Sequence, residues 1–168
     1  MPDRDAMPYR PCVGIMLINR QGLVWMGNRI PEADTEPKLT WQMPQGGIDE
    51  GEAPHIAAHR ELHEETGVRP EHTDVLAETR DWMTYDLPDH LIGKALKGKF
   101  RGQRLKFFAM RFLAGDDVVD LEAHHQKEFS EWAWTPVSEI TEMVVPFKQE
   151  IYRQVVAEFA PLCVPMED

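Results

Sequence analysis

The sequence predicts an α/β fold, a mixed β-sheet flanked by helices. Three observations carry that prediction. Short apolar segments with strand-like alternation recur along the chain. Two other segments, around 54–66 and 147–159, carry helical spacing instead. Their order, β-β-β-α-β-β-β-α, lacks the regular strand–helix alternation of a doubly wound parallel sheet.

In chain order, residues 10–19 alternate, with Val13, Ile15 and Leu17 on one face. Asn19-Arg20-Gln21-Gly22 signals a turn, and residues 23–26 return as a partner strand. Residues 31–38 form a polar loop, and 39–43 a short strand. Pro44-Gln45-Gly46-Gly47 then turns into an acidic stretch. Pro54 suits the first turn of a helix, where its missing N–H costs nothing, and Gly67 suits the position past the last turn. Ala58 and Leu62 give that helix an apolar strip, with His59 and His63 roughly opposite its carboxylates. Residues 73–80 read as a strand, 81–90 as aromatic and then turn-like, and 103–113 as the strongest strand of the second half. Residues 128–134 form another strand, with Phe129 and Ala133 on one face and Trp132 and Trp134 on the other. A short helix starts at 136–140. The closing helix sets Ile151, Val155 and Phe159 in register.

Composition bounds the function. The chain has 168 residues, enough for one domain with a sizeable core, expected over 9–160 with loose ends at 1–8 and 161–168. Its net charge of −11 argues against general adhesion to nucleic acid or anionic membrane, so no stable DNA binding is expected. Cys12 and Cys163 make neither metal-ligand spacing nor a disulfide framework. The polar N-terminus lacks the apolar run of a signal peptide, and no segment approaches the length of a membrane span. A cytoplasmic protein is the expectation. The sequence fixes no oligomeric state.

The chemistry concentrates at 46–68. Glu61, Glu64 and Glu65 fall on one helix face at i, i+3, i+4, a spacing at which like charges repel. Arg60 is the one cation at hand. Such a row is either a solvated acidic face or a site neutralised by a divalent cation. Hard oxygen donors favour Mg²⁺ or Mn²⁺ over zinc, and Mg²⁺ completes its shell with water and substrate phosphates. Gly46 and Gly47 add carbonyls as further candidate ligands. Elsewhere, Lys94, Lys97, Lys99, Arg101, Arg104 and Lys106 form a basic run without an acidic residue between them. It reads as a flap for polyphosphate or RNA, or as a solvated loop. Arg10 and Arg29 flank the first hairpin and can reach phosphate. Tyr85 and Phe147 can stack on a base.

The full spacing is Gly46, five residues, Glu52, seven residues, then Arg60-Glu61-Leu62-x-Glu64-Glu65-x-Gly67-Val68. It fits the Nudix box at every defined position, and the chain resembles a Nudix hydrolase. Within that family it is most similar to the branch of RNA pyrophosphohydrolases and dinucleoside polyphosphate hydrolases. The matching residues are Tyr9-Arg10-Pro11, the run from Trp41 to Gly47, Tyr85-Asp86-Leu87-Pro88, Gly102-Gln103, Lys106-Phe107-Phe108, Glu128-Phe129 and Val145-Pro146-Phe147-Lys148. The resemblance implies the α/β/α sandwich of the family. It implies that Glu61, Glu65 and the distant Glu128 help hold Mg²⁺, or Mn²⁺ or another divalent cation in its place. It further implies that Arg10, Arg29, Gln45, Lys106 and Lys148 face the phosphates or the 5′ nucleotide, with Tyr85 or Phe147 on a base. Phe107 and Met43 stand where related proteins often have Trp and Phe.

The expected reaction is hydrolysis within a polyphosphate chain. Glu61, Glu64, Glu65 and Glu128 would hold metal, and Glu61 or Glu64 would take the proton of the attacking water. Arg60 would steady the glutamates and Glu52 would orient Arg60. The leading substrate is the 5′-triphosphate end of RNA, converted to a 5′-monophosphate with release of pyrophosphate, a step that promotes RNA decay. The alternative is a dinucleoside polyphosphate such as Ap4A, giving ATP and AMP. A third reading, from another class, is a nucleotide-binding regulatory module without turnover; absence of hydrolysis with Mg²⁺ present would favour it.

Overall fold

The computed structural model describes residues 3–30 and 39–167. The polar loop expected at 31–38 lies outside them. Strand β1 (Tyr9–Ile18) is the spine of an eight-stranded sheet. Its middle, Cys12 to Gly14, pairs antiparallel with β4 (Gln45–Gly47). On the other side its whole length runs parallel to β7 (Gly102–Phe112). Strand β2 (Val24–Arg29) takes up pairing where β4 leaves off, and itself pairs with β3 (Trp41–Gln42) and β8 (Phe129–Thr135). Strands β5 (Thr73–Glu78) and β6 (Met83–Asp86) share the outer edge of β7. The sheet is mixed, as the order of elements predicted.

Three local expectations need correction. The strand expected at 39–43 is only β3, and the turn expected at Pro44–Gly47 holds a strand of its own: Pro44 lacks an N–H for a continuous ladder, so β3 pairs with β2 and β4 pairs with β1. Residues 83–86 are a strand rather than turn-like chain, because β7 offers Gly102 to Leu105 as a partner edge. Residues 136–140 give only a 3₁₀ turn. Described residues toward both ends make hydrogen bonds to the domain. Arg4 donates to the Leu87 carbonyl at 2.8 Å, and Arg111 donates to the carbonyls of Asn19 (2.7 Å), Leu162 and Val164 (both 3.2 Å).

Alternation along β1 feeds two cores. Val13, Ile15 and Leu17 pack with Ala57, Ala58 and Leu62 of α1 (Pro54–Thr66). Cys12, Met16 and Ile18 pack with Ile151, Tyr152, Val155 and Phe159 of α2 (Gln149–Phe159). The result is helix, sheet, helix. Helix α1 begins on Pro54 and ends on Gly67, whose φ of 79° only glycine adopts without strain. No helix among the described residues is long and apolar enough to cross a membrane.

One irregularity matters for the site. Between Asn28 and Arg29 the β2–β8 register slips, so Arg29 faces Phe129 while Asn28 faces Glu131. Ser130 is the extra residue of a bulge. The slip puts Phe129 and Trp132 on the same side, both against Trp25, at 5.3 and 5.9 Å between ring centroids. Simple alternation had set them on opposite faces. The bulge sits next to Glu128, whose carbonyl accepts from the Ile30 amide at 3.0 Å.

Candidate active site

A cleft of about 670 Å³ opens between α1, β4 and the start of α2. That volume is in the range of sites for nucleotide-sized ligands. Its two ends differ in chemistry.

The acidic end is built on the glycine pair of β4. A Cβ at Gly46 would lie 2.0 Å from Cδ of Glu61, and one at Gly47 would lie 2.4 Å from Nη2 of Arg10. Neighbouring strand residues point to opposite sides, so the pair admits a carboxylate on one side and a guanidinium on the other. No residue with a side chain could do both. Gly46→Ala is therefore expected to displace the Glu61 carboxylate and lower kcat by about 100-fold with little loss of stability. Steady-state kinetics beside a thermal melt would check it.

Arg60 lies at the centre of the carboxylates. It grips Glu52 through two N–H groups at 2.9 Å, Glu61 at 2.9 Å and Glu64 at 3.3 Å, and donates to the Gly47 carbonyl at 2.8 Å. The guanidinium holds the Glu52 carboxyl down at about 2. The Gly47 carbonyl, a candidate metal ligand from sequence, is thus occupied. Glu65 has a different environment. It is buried, and its carboxylate accepts only the Gln45 amide at 3.2 Å among the described residues. Burial pushes its carboxyl well above the usual range, and the charges of Glu61 and Glu128 push it the same way. Burial also raises Glu61, against the pull of Arg60.

As the side chains stand, no three acidic, His or Cys groups among the described residues converge on one cation. Arg60 draws Glu61 and Glu64 toward itself. The donor chemistry nevertheless fits a hard divalent ion. Four carboxylates line this end of the cleft, and Glu65 has no cationic partner among the described residues. A buried carboxylate crowded by like charges is stabilised by such a counter-charge, and Glu61, Glu64 and Glu128, whose charges act on Glu65, supply further oxygen donors at this end of the cleft.

The other end is cationic and aromatic. Arg10, Arg29, Lys94, Lys97 and Lys148 line it. Lys148 is buried, with Nζ 3.2 Å from the Gln42 amide oxygen. Burial, helped by the charge of Arg29, lowers its ammonium to about 7. Tyr85 and Phe147 face each other at 5.5 Å. Tyr85 donates its hydroxyl to Gln103 at 2.7 Å, and Gln45 donates to the same oxygen at 3.0 Å. Leu96 and Lys97 line the cleft with φ of 54° and 61°, a backbone state that strains residues other than glycine.

The structure brings together fourteen of the sixteen expected site residues only if Glu52 and Arg60 count through their contacts rather than as cleft walls. Arg104 and Lys106 are set apart. They share the parity of Phe108, which faces α1, while Gln103 and Leu105 face the α2 side. Lys106 Nζ instead meets the Thr79 carbonyl at 3.1 Å and Glu78 at 3.6 Å. Gln103 and Gln42 belong to the cleft and were missed. The parity of β7, read against Leu105 and Phe107 as core residues, was the available signal for Gln103.

The NUDIX domain profile matches residues 8–155. The chain belongs to the NUDIX family. Curated relatives match almost all of it. An RNA pyrophosphohydrolase of Mesorhizobium japonicum is 51% identical over 166 residues, spanning 95% of each chain. One of Novosphingobium aromaticivorans is 53% identical over 157 residues, 94% of this chain and 96% of its own. Solved structures share the fold at low identity. A C. elegans Ap4A hydrolase complex superposes with a TM-score of 0.63 at 18% identity, covering 90% of this chain and 98% of its own. The E. coli dihydroneopterin triphosphate pyrophosphohydrolase gives 0.67 at 16%, covering 90% and 99%. The family uses divalent cations generally.

Proposed function

We propose that this NUDIX hydrolase is an RNA pyrophosphohydrolase, which cleaves the 5′-triphosphate end of RNA to a 5′-monophosphate and releases pyrophosphate. The observation that carries the reading is the run of curated relatives near 50% identity, matched over 94–95% of this chain and 95–97% of their own length, that bear that name. The cleft supports it, with carboxylates at one end and cations and an aromatic pair at the other.

Glu61, Glu64, Glu65 and Glu128 would hold Mg²⁺, with the Gly46 carbonyl in the donor set. When bound, the metal offsets charge on the phosphate oxygens and acidifies a water. Glu61 or Glu64 accepts that water's proton. Arg60 holds both glutamates in place, and Glu52 fixes Arg60 through its paired hydrogen bonds. Arg10, Arg29 and Lys148 receive the phosphates. A phosphate beside Lys148 favours its charged form, so substrate binding draws a proton onto it. Gln45 spans the two ends, with its amide on Glu65 and its side chain on Gln103. Tyr85 and Phe147 receive a base.

The test is a competition between 5′-triphosphate RNA and Ap4A with Mg²⁺, with products resolved for both. The expected result is pyrophosphate and 5′-monophosphate RNA, at the higher kcat/KM. A much higher kcat/KM on Ap4A would overturn the RNA assignment and leave the hydrolase chemistry standing.

A further inference from the structure

Strand alternation splits the basic run between two faces of the sheet. Tyr85 and its partner Gln103 face the cleft; Thr84 and its partner Arg104 face the other side. There Arg104 lies over the ring of Trp82, with Cζ 4.1 Å from the centroid, and Lys106 Nζ is 5.9 Å from the same ring. Just ahead of β7, Arg101 lies 4.8 Å over the ring of Tyr9. Tyr9 pairs with Gly102 on one flank of β7, and Thr84 with Arg104 on the other, so Arg101 and Arg104 hold their rings on either side of one strand.

The cations differ in what they are free to do. Arg101 is committed to Asp86 at 2.8 Å, and Lys106 to Thr79 and Glu78. Arg104 is exposed and, among the described residues, has neither a hydrogen bond nor a carboxylate within ion-pair reach. The indole restrains a side chain that otherwise carries large rotamer freedom. A restrained guanidinium presents a fork of N–H groups that suits phosphate and a plane that suits a base.

We propose that the Trp82–Arg104 stack, with Tyr9–Arg101 beside it, is a second contact surface for the single-stranded RNA chain downstream of its 5′ end. Charge selects the occupant. In a chain of net charge −11, this exposed cation stands in a run, 94–106, that holds no acidic residue. Single-stranded RNA offers phosphates and flat bases together, whereas an acidic protein offers the charge alone. Beyond β7, β6 has no other strand partner among the described residues, so a chain leaving the cleft past Tyr85 need round only one strand. The inference rests on the RNA reading of the cleft.

A 5′-hydroxyl RNA of about twelve nucleotides tests the surface without turnover. Its binding is followed by fluorescence anisotropy across a salt series. Arg104→Glu is expected to weaken binding about fivefold or more, and Arg104→Gln to reduce the slope of log K against log salt by about 0.7. In turnover, Arg104→Glu is expected to lower kcat/KM about fivefold on 5′-triphosphate RNA of that length and to leave a triphosphate dinucleotide within about twofold. Equal binding by wild type and Arg104→Glu overturns the proposal and leaves the stack to an acidic protein. Equal loss on both triphosphate substrates also overturns it, because the defect then lies in the cleft. Binding that depends on Arg104, in a wild-type chain that hydrolyses neither substrate, supports the surface while sinking the RNA pyrophosphohydrolase reading.

Discussion

Glu65→Gln is expected to lower kcat by a factor on the order of 10³ while leaving the metal-free protein as stable as wild type or more so. The two effects have one cause. Glu65 is buried, with like charges from Glu61 and Glu128 near it and, among the described residues, a single backbone amide as donor. In the absence of a counter-ion that carboxylate opposes folding. Glutamine keeps the shape and can still accept from Gln45, but it carries no charge to bind a cation. The pH dependence follows with a definite sign. Burial raises the folded-state pKa of Glu65 above its unfolded value. Its contribution to stability is therefore full below the unfolded pKa and is lost as pH rises through the folded one. Urea midpoints in chelator should show this loss in wild type and not in Glu65→Gln. Near-normal turnover in the variant would sink the metal assignment, and a large destabilisation would show that Glu65 is structural.

What the sequence made legible follows how local each signal is. Helix α1 was readable to its ends because Pro54 and Gly67 act within a turn of themselves. The glutamate row was readable because helical spacing is fixed by the backbone. The contribution of the glycine pair was only half visible. Its backbone freedom suggested metal-ligating carbonyls, whereas the structure shows Gly47 giving its carbonyl to Arg60 and both residues making room for neighbours. Strand β6 escaped because its partner is about twenty residues away and its alternation, Met83-Thr84-Tyr85-Asp86, is only four residues long and runs into the turn signal at Pro88. Phe129 and Trp132 were misassigned because a bulge is set by the opposing strand, β2, and leaves no mark at Ser130. Arg104 is placed by charge, and Lys106 by charge and by the resemblance, while the direction of both depends on the parity of β7. The two cores on either side of that strand make both parities apolar further along, so hydrophobicity could not break the tie.

Arg60→Met should separate two effects that one guanidinium combines. Arg60 orders Glu61 and Glu64, and it also competes with any cation for them. If competition dominated, the variant would need less Mg²⁺ and keep its kcat. Ordering is expected to dominate, with kcat falling about 100-fold. The reason is the number of partners: one planar group fixes Glu52, Glu61, Glu64 and the Gly47 carbonyl, which no metal bound at the cleft replaces on the Glu52 side. Stability should fall as well. Glu52 and Glu61 side chains are each 13% exposed, so removing their partner costs more than an exposed pair and less than a fully buried one, about 2 kcal/mol. Here the pH sign is opposite to that of Glu65. Arg60 holds Glu52 at about 2, below its unfolded value. That stabilisation is present above the unfolded pKa and is lost as pH falls toward 2. The gap in urea midpoint between wild type and Arg60→Met should therefore be widest near neutral pH and close in acid. A gap that stayed constant into acid would mean that the methionine costs stability through packing rather than through the lost ion pairs.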